Sequence, residues 1–170
     1  MTNREFFDRT AQVHDVNLPM GASSVDVELA IRLHAERIQI LCPAILYFRL
    51  DKDRTKVDPD YDDSSKPAWD GLPDPTTGKV VGRAILVPVE VHFDPPQKLL
   101  RRYGIEIQHQ ALLVMSCRIL DELKVEPKTG DRWELLGTFY EANTVKFVDY
   151  ILQTQIPLSC IATVEQKSVT

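Results

Sequence analysis

The sequence has no excess of positive charge. Its 20 Lys and Arg residues are outnumbered by 25 Asp and Glu, and the net charge is −5. A protein that grips nucleic acid draws on clustered Lys and Arg, so this balance argues against that task. It still allows a wall that DNA slides past. No apolar run approaches the roughly 20 residues that a membrane-spanning helix needs. The first residues, MTNREFFDRT, lack the charged-then-apolar order of a secretory signal, and the expected place of synthesis is a reducing cytoplasm. Cysteine is sparse. Cys42, Cys117 and Cys160 stand far apart among apolar neighbours, with no CxxC and no Cys/His pair of zinc spacing. They read as free buried thiols. Their odd number leaves a disulfide between subunits open should the protein meet oxidising conditions.

Catalytic signatures are missing as well. There is no G-x-S-x-G, HExxH, P-loop, GxGxxG, or H-x-E with a Cys pair, and the four histidines are dispersed. The expectation is therefore a protein that is not an enzyme and holds no cofactor. Asp58, Asp60, Asp62 and Asp63, in DPDYDD, invite a comparison with a calcium loop. Such a loop wants Gly at its sixth position and Glu at its twelfth. Counting from Asp58, those places hold Asp63 and Trp69, so no metal site is expected. Carboxylates in a solvated loop keep ordinary pKa values.

What the sequence does hold is one β-rich domain. A chain of 170 residues can bury roughly 70% of the surface its unfolded form exposes. The expected class is mainly β with some α: an antiparallel β-sandwich or barrel-like domain, an N-terminal amphipathic helix, short helices and a long acidic loop. Residues 1–20 read as an arm carrying Phe6 and Phe7, and residues 21–166 as the domain. Residues 167–170 make a polar tail. Ser23 or Ser24 caps a helix running to about Leu41, with Val27, Ile31, Ala35 and Ile38 on one apolar face. Glu28–Arg32 and Arg32–Glu36 are spaced to pair on its wet side. Pro43 stops it.

Ala44 to Leu50 (AILYFRL) reads as a strand. Residues 51–79 then hold eight Asp, five Lys or Arg, four Pro and two Gly, which is loop composition. Trp69 within it must pack somewhere, and a neighbouring subunit is a candidate. Val87, Val89, Val91 and Phe93 alternate as a half-buried edge strand. Lys98, Arg101 and Arg102 form a basic cluster on a short helical turn, suited to a solvated face or a salt-bridge patch. Ile105 to Cys117 reads as the longest strand. Its far end is apolar on both faces, so core and a second layer or subunit should both cover it. His109 falls on its apolar face, as a hydrogen-bonded core residue.

The clearest local signal is Val125 to Lys146. Pro127 and Gly130 build a turn, and Asp131 and Arg132 lead into Trp133–Leu136. Gly137 breaks the run, and Thr138–Glu141 resumes it as the second half of a hairpin. Lys146 to Ile151 and Leu158 to Glu165 follow as further strands, with Pro157 at the entrance of the last.

The order of these parts resembles a known family. An amphipathic helix precedes AILYFRL, and a D-P-x-Y-x-D segment follows (Asp58, Pro59, Tyr61, Asp63). Next come K-L-L-x-x-Y-G-I-x-I (Lys98 to Ile107), then P-K-x-G-D-R-W with F-Y-E behind it (Pro127, Gly130, Asp131, Trp133, Phe139, Tyr140, Glu141). Across residues 24–166 this is similar to the neck, or head-completion, proteins of tailed bacteriophages. The resemblance implies a virion protein, made in the bacterial cytoplasm, whose copies form a ring of about six or twelve. Such a head-tail connector completes the filled head and lines the channel through which genomic DNA passes without specific binding. Its partners would be a portal or adaptor ring on one side and tail-terminator, sheath or tail-tube proteins on the other, with no membrane. The same motifs allow a tail-terminator or tail-completion ring. From a different class, a small β-barrel enzyme or ligand-binding protein would use the Asp-rich loop. Phe6, Phe7, Tyr61, Trp69, Lys98, Arg101 and Arg102 are the candidate interface residues.

Overall fold

A computed structural model describes residues 24–57, 65–105, 111–150 and 156–166. The chain is mainly β, with antiparallel sheets and, among the described residues, one long helix and two short helices. Helix α1 spans Ser24–Leu41 and strand β1 Ala44–Phe48. Strands β2 (Leu50–Val57) and β3 (Ser65–Trp69) pair with each other as a separate two-stranded sheet. Strands β4 (Ile85–Pro88) and β5 (Glu90–Phe93), helix α2 (Gln97–Arg102), strand β6 (Ala111–Ser116) and helix α3 (Cys117–Glu122) follow. Strands β7 (Arg132–Leu135), β8 (Thr138–Tyr150) and β9 (Pro157–Gln166) complete the chain.

The main sheet has seven antiparallel strands in the order β4-β1-β7-β8-β9-β6-β5. Its two edge strands are consecutive in sequence, since only Val89 separates Pro88 from Glu90. Two residue steps span at most about 7 Å, so the sheet must roll until its edges meet at Val89. That residue is fully buried. Among the described residues no ladder joins β4 to β5, so the roll is closed by covalent chain rather than by a hydrogen-bonded seam.

Sequence pattern explains most of this packing. Val27, Ile31, Ala35 and Ile38 are the buried face of α1, as their spacing predicts. Arg32 pairs with Glu36 at 3.6 Å, but Glu28 does not pair with Arg32; Arg118 of α3 takes it at 2.6 Å and ties the two helices together. Trp133 is fully buried in the main core, its ring centroid 4.8 Å from that of Tyr47. Strand β6 is buried on both faces. Ala111, Leu113 and Met115 face the main core, while Leu112 and Val114 pack with Leu100 of α2. The second cover over this strand is thus the chain's own short helix.

Several expectations need correction. The polar segment 51–79 is not a loop throughout, because β2 and β3 run through it. The strand expected over Ile105 to Cys117 is described from Ala111 to Ser116; Cys117 opens α3, and residues 106–110, His109 among them, lie outside the described residues. The longest strand is instead β8, with 13 residues, which absorbs the strand expected from Lys146. Strands β7 and β8 join through Leu136 and Gly137, both at positive φ (52° and 77°). A two-residue turn of that hand matches the twist of a hairpin. Pro157 opens β9 opposite Tyr150, where a missing N–H does least harm.

Candidate interaction site

The turn before β7 holds the joint between the main sheet and the β2–β3 arm. Asp131 is 1% exposed, and its carboxylate collects three donors. Leu50 N donates to Oδ1 at 2.8 Å, and Tyr47 Oη and Lys128 N each donate to Oδ2 at 2.7 Å. Burial pushes this carboxyl above its usual range, and the three donors offset part of that rise. Burial, the Asp131 charge and their shared hydrogen bond hold the Tyr47 phenol far above its ordinary pKa, so it stays a donor. Gly130, at φ 91°, lets the chain reverse here, and its N–H donates to Ala142 O at 2.8 Å.

Trp69 joins the same turn. Its indole Nε1 donates to Gly130 O at 2.9 Å, and the Arg132 guanidinium lies 3.5 Å from its ring centroid. The residue is 7% exposed. The expectation that Trp69 awaits a neighbouring subunit is therefore corrected: its own chain covers it. It fastens the base of the arm, where Arg54 also bridges Asp51 and Asp70, each at 2.6 Å. That pairing lowers the Asp51 carboxyl below its ordinary range.

Beside this joint lies a cleft of about 360 Å³. Arg49, Arg83, Lys124 and Lys128 line it, against the carboxylates of Asp70 and Glu126. Arg49 is tied to Asp70 at 2.8 Å and Lys128 to Glu126 at 3.5 Å. Among the described residues no carboxylate pairs with Arg83 or Lys124. Lys124 also sits at φ 55°, in the place after α3 where glycine is favoured. Lysine is held there by two bonds of the helix end, Lys124 N to Asp121 O at 3.0 Å and Val125 N to Leu120 O at 2.8 Å.

A second groove, of about 370 Å³, runs between α1, α2 and β9. Ion pairs cross it: Arg37 with Glu90 at 2.8 Å and Arg102 with Asp149 at 3.1 Å. His34 Nε2 and Ser159 Oγ are 3.2 Å apart, and Asp149 also lines the groove. Ser159 is fully buried, however, and burial together with Arg37 lowers the His34 pKa. Its buried hydroxyl serves as a polar joint between helix and strand. No group of three or more His, Cys, Asp or Glu side chains could hold a metal ion among the described residues.

The surface also shows apolar side chains where water should be. Val25, Leu29, Leu33 and Ile40 of α1 are exposed at 72%, 42%, 53% and 77%. At 100° per residue these four point opposite to the buried face, so α1 is apolar on both sides. At the β7–β8 turn, Leu136 is 93% exposed in a left-handed conformation that disfavours it.

The residues singled out from sequence do not gather in one place. Phe6, Phe7 and Tyr61 lie outside the described residues, as do Asp58, Asp60, Asp62 and Asp63. Lys98 and Arg101 are exposed on α2, whereas Arg102 turns to Asp149 and lies 5.5 Å from the Tyr103 ring centroid. Sequence reasoning missed Asp131 and the cleft. The missed signal at Asp131 was an acidic residue directly before a buried Trp run, which requires donors for its carboxylate. The cleft had no such signal, because its cations are scattered along the chain. No family model, no curated protein and no solved structure matches this chain.

Proposed function

We propose that this chain is a structural subunit that assembles with copies of itself into a ring in the neck of a tailed-bacteriophage virion. There it would join the portal side to the tail and surround the passing DNA. The observation that supports assembly is the outer stripe of α1. Four exposed apolar side chains along one helix face make a surface that a solitary protein rarely keeps in water. The exposed Leu136 adds to it, as does a β2–β3 arm that pairs with no other strand among the described residues. The neck placement rests on the motif order from Pro127 to Glu141 and its resemblance to head-completion proteins. An acidic chain suits a conduit, because a DNA-gripping wall would retard passage.

Two measurements test this reading. Sedimentation velocity of the purified chain over a wide concentration range should show a closed oligomer, and Leu33→Lys should shift it toward monomer. Antibody against the chain, viewed by electron microscopy on virions encoded by the same genome, should mark the junction of head and tail. Label on the tail tip or capsid faces, or virions lacking the chain, would overturn the placement.

A further inference from the structure

We infer that the cleft formed by Arg49, Arg83, Lys124 and Lys128 binds a small phosphate monoester that carries hydroxyl groups, such as a sugar phosphate. This site is independent of the ring reading above.

Charge is the first argument. Four cations and two carboxylates, Asp70 and Glu126, line the cleft, an excess of two positive charges in a chain of net charge −5. Pairing within the cleft does not remove that excess. Arg49 is tied to Asp70, but Asp70 also serves Arg54 from the arm, and Lys128 takes Glu126. Arg83 and Lys124 are exposed, and among the described residues no carboxylate pairs with either. A phosphate monoester carries about −1.5 to −2 at neutral pH, which matches the excess. A phosphate of the DNA backbone carries a single charge and leaves half of it unmatched.

Donor chemistry and size are the second argument. Arg83 offers a planar fork of N–H donors and Lys124 a compact ammonium, a combination suited to phosphate oxygens. Glu126 faces Lys128 through Oε2 at 3.5 Å, which leaves Oε1 to accept from a hydroxyl. Ile85 adds an apolar wall. The volume of about 360 Å³ lies at the small end of ligand pockets, which run from roughly 300 to 1,000 Å³. That leaves room for a sugar-sized group beside the phosphate and little more.

The backbone at Lys124 is the third. Lysine keeps φ 55° after α3, where glycine would relax the chain. Among the described residues its ammonium makes no ion pair that would offset this strain. Strain of this kind is kept where a side chain has a task, and here the task is to bring a cation to the cleft.

Isothermal titration calorimetry of the full chain with ribose 5-phosphate at low salt tests this. The expected result is one site per chain with a Kd of about 1 mM or tighter. Arg83→Gln and Lys124→Gln should each weaken binding about tenfold. Lys66→Gln, on β3 and outside the cleft, should leave it unchanged. Lys124→Gly separates binding from folding: it should weaken binding as Lys124→Gln does, yet leave the chain at least as resistant to urea. No saturable heat at ligand concentrations up to about 10 mM overturns the inference. A loss for Lys66→Gln as large as that for Arg83→Gln overturns it as well, because general charge attraction then explains the binding. Tighter binding of a DNA duplex, lost with the same two cleft variants, assigns the cleft to nucleic-acid backbone and overturns the monoester.

Discussion

Asp121→Asn should stabilise this protein at neutral pH, and the gain should vanish in acid. Asp121 lies on α3, 6% exposed, and its Oδ1 is buried with no hydrogen-bond partner among the described residues. Burial, with the neighbouring Glu122 charge, pushes its pKa from 3.8 up to about 6. The folded chain thus holds this proton more tightly than the unfolded chain does. Stability from this group is fully present below about pH 4 and is lost as pH rises through 6. A shift of that size, at about 1.4 kcal/mol per pH unit, corresponds to about 3 kcal/mol at pH 7. Solvent relaxation near the surface trims the figure, so the expected gain from Asn is about 1–3 kcal/mol. Urea unfolding of both chains, from about pH 4 to pH 8, gives the difference directly. It should be near zero at the acid end, rise between the two pKa values and then level. A difference that does not change with pH, or an Asn variant less stable at pH 7, would refute the reasoning.

Four further substitutions probe other joints. Asp131→Ala strands Leu50 N, Lys128 N and the Tyr47 hydroxyl, and should cost about 3 kcal/mol or more in urea unfolding, whereas Tyr47→Phe should cost about 1 kcal/mol. Leu136→Asn places a residue tolerant of positive φ in the hairpin turn, and calorimetry should show a gain of about 1 kcal/mol, with weaker self-association if Leu136 is a contact. Thr163 is fully buried in β9 and its hydroxyl has no partner among the described residues, so Thr163→Val should be neutral or stabilising by about 1 kcal/mol in the same unfolding assay.

The legible parts of this fold were those where a single period decides burial. Val27, Ile31, Ala35 and Ile38 announced the inner face of α1, and Pro127 to Glu141 announced a turn and hairpin. The doubly apolar end of β6 announced two covers, though sequence could not tell a helix of the same chain from a neighbouring subunit. Strands β2 and β3 were hidden because they lie outside the main core and carry Asp, Lys and Arg where a core strand would carry Val and Ile. Trp69 was misplaced for the same reason: without the hairpin, nothing nearby in sequence could cover its indole. The cleft was invisible because its cations come from three separate segments, at Arg49, at Arg83 and at Lys124–Lys128, which only the fold brings together.

The rolling of the sheet at Val89 has a consequence for how the molecule is made. Strand β9 lies between β8 and β6, near the middle of the sheet, although it is the last strand in this sequence. Until it arrives, β6 and β5 have no bridge to β8, β7 and β1, and the bent segment at Val89 has nothing to wrap around. A nascent chain halted before residue 157 would hold two sheets joined only through Val89, without the strand that pairs them. Residues 157–166 must therefore be made before the two parts of the main sheet can join.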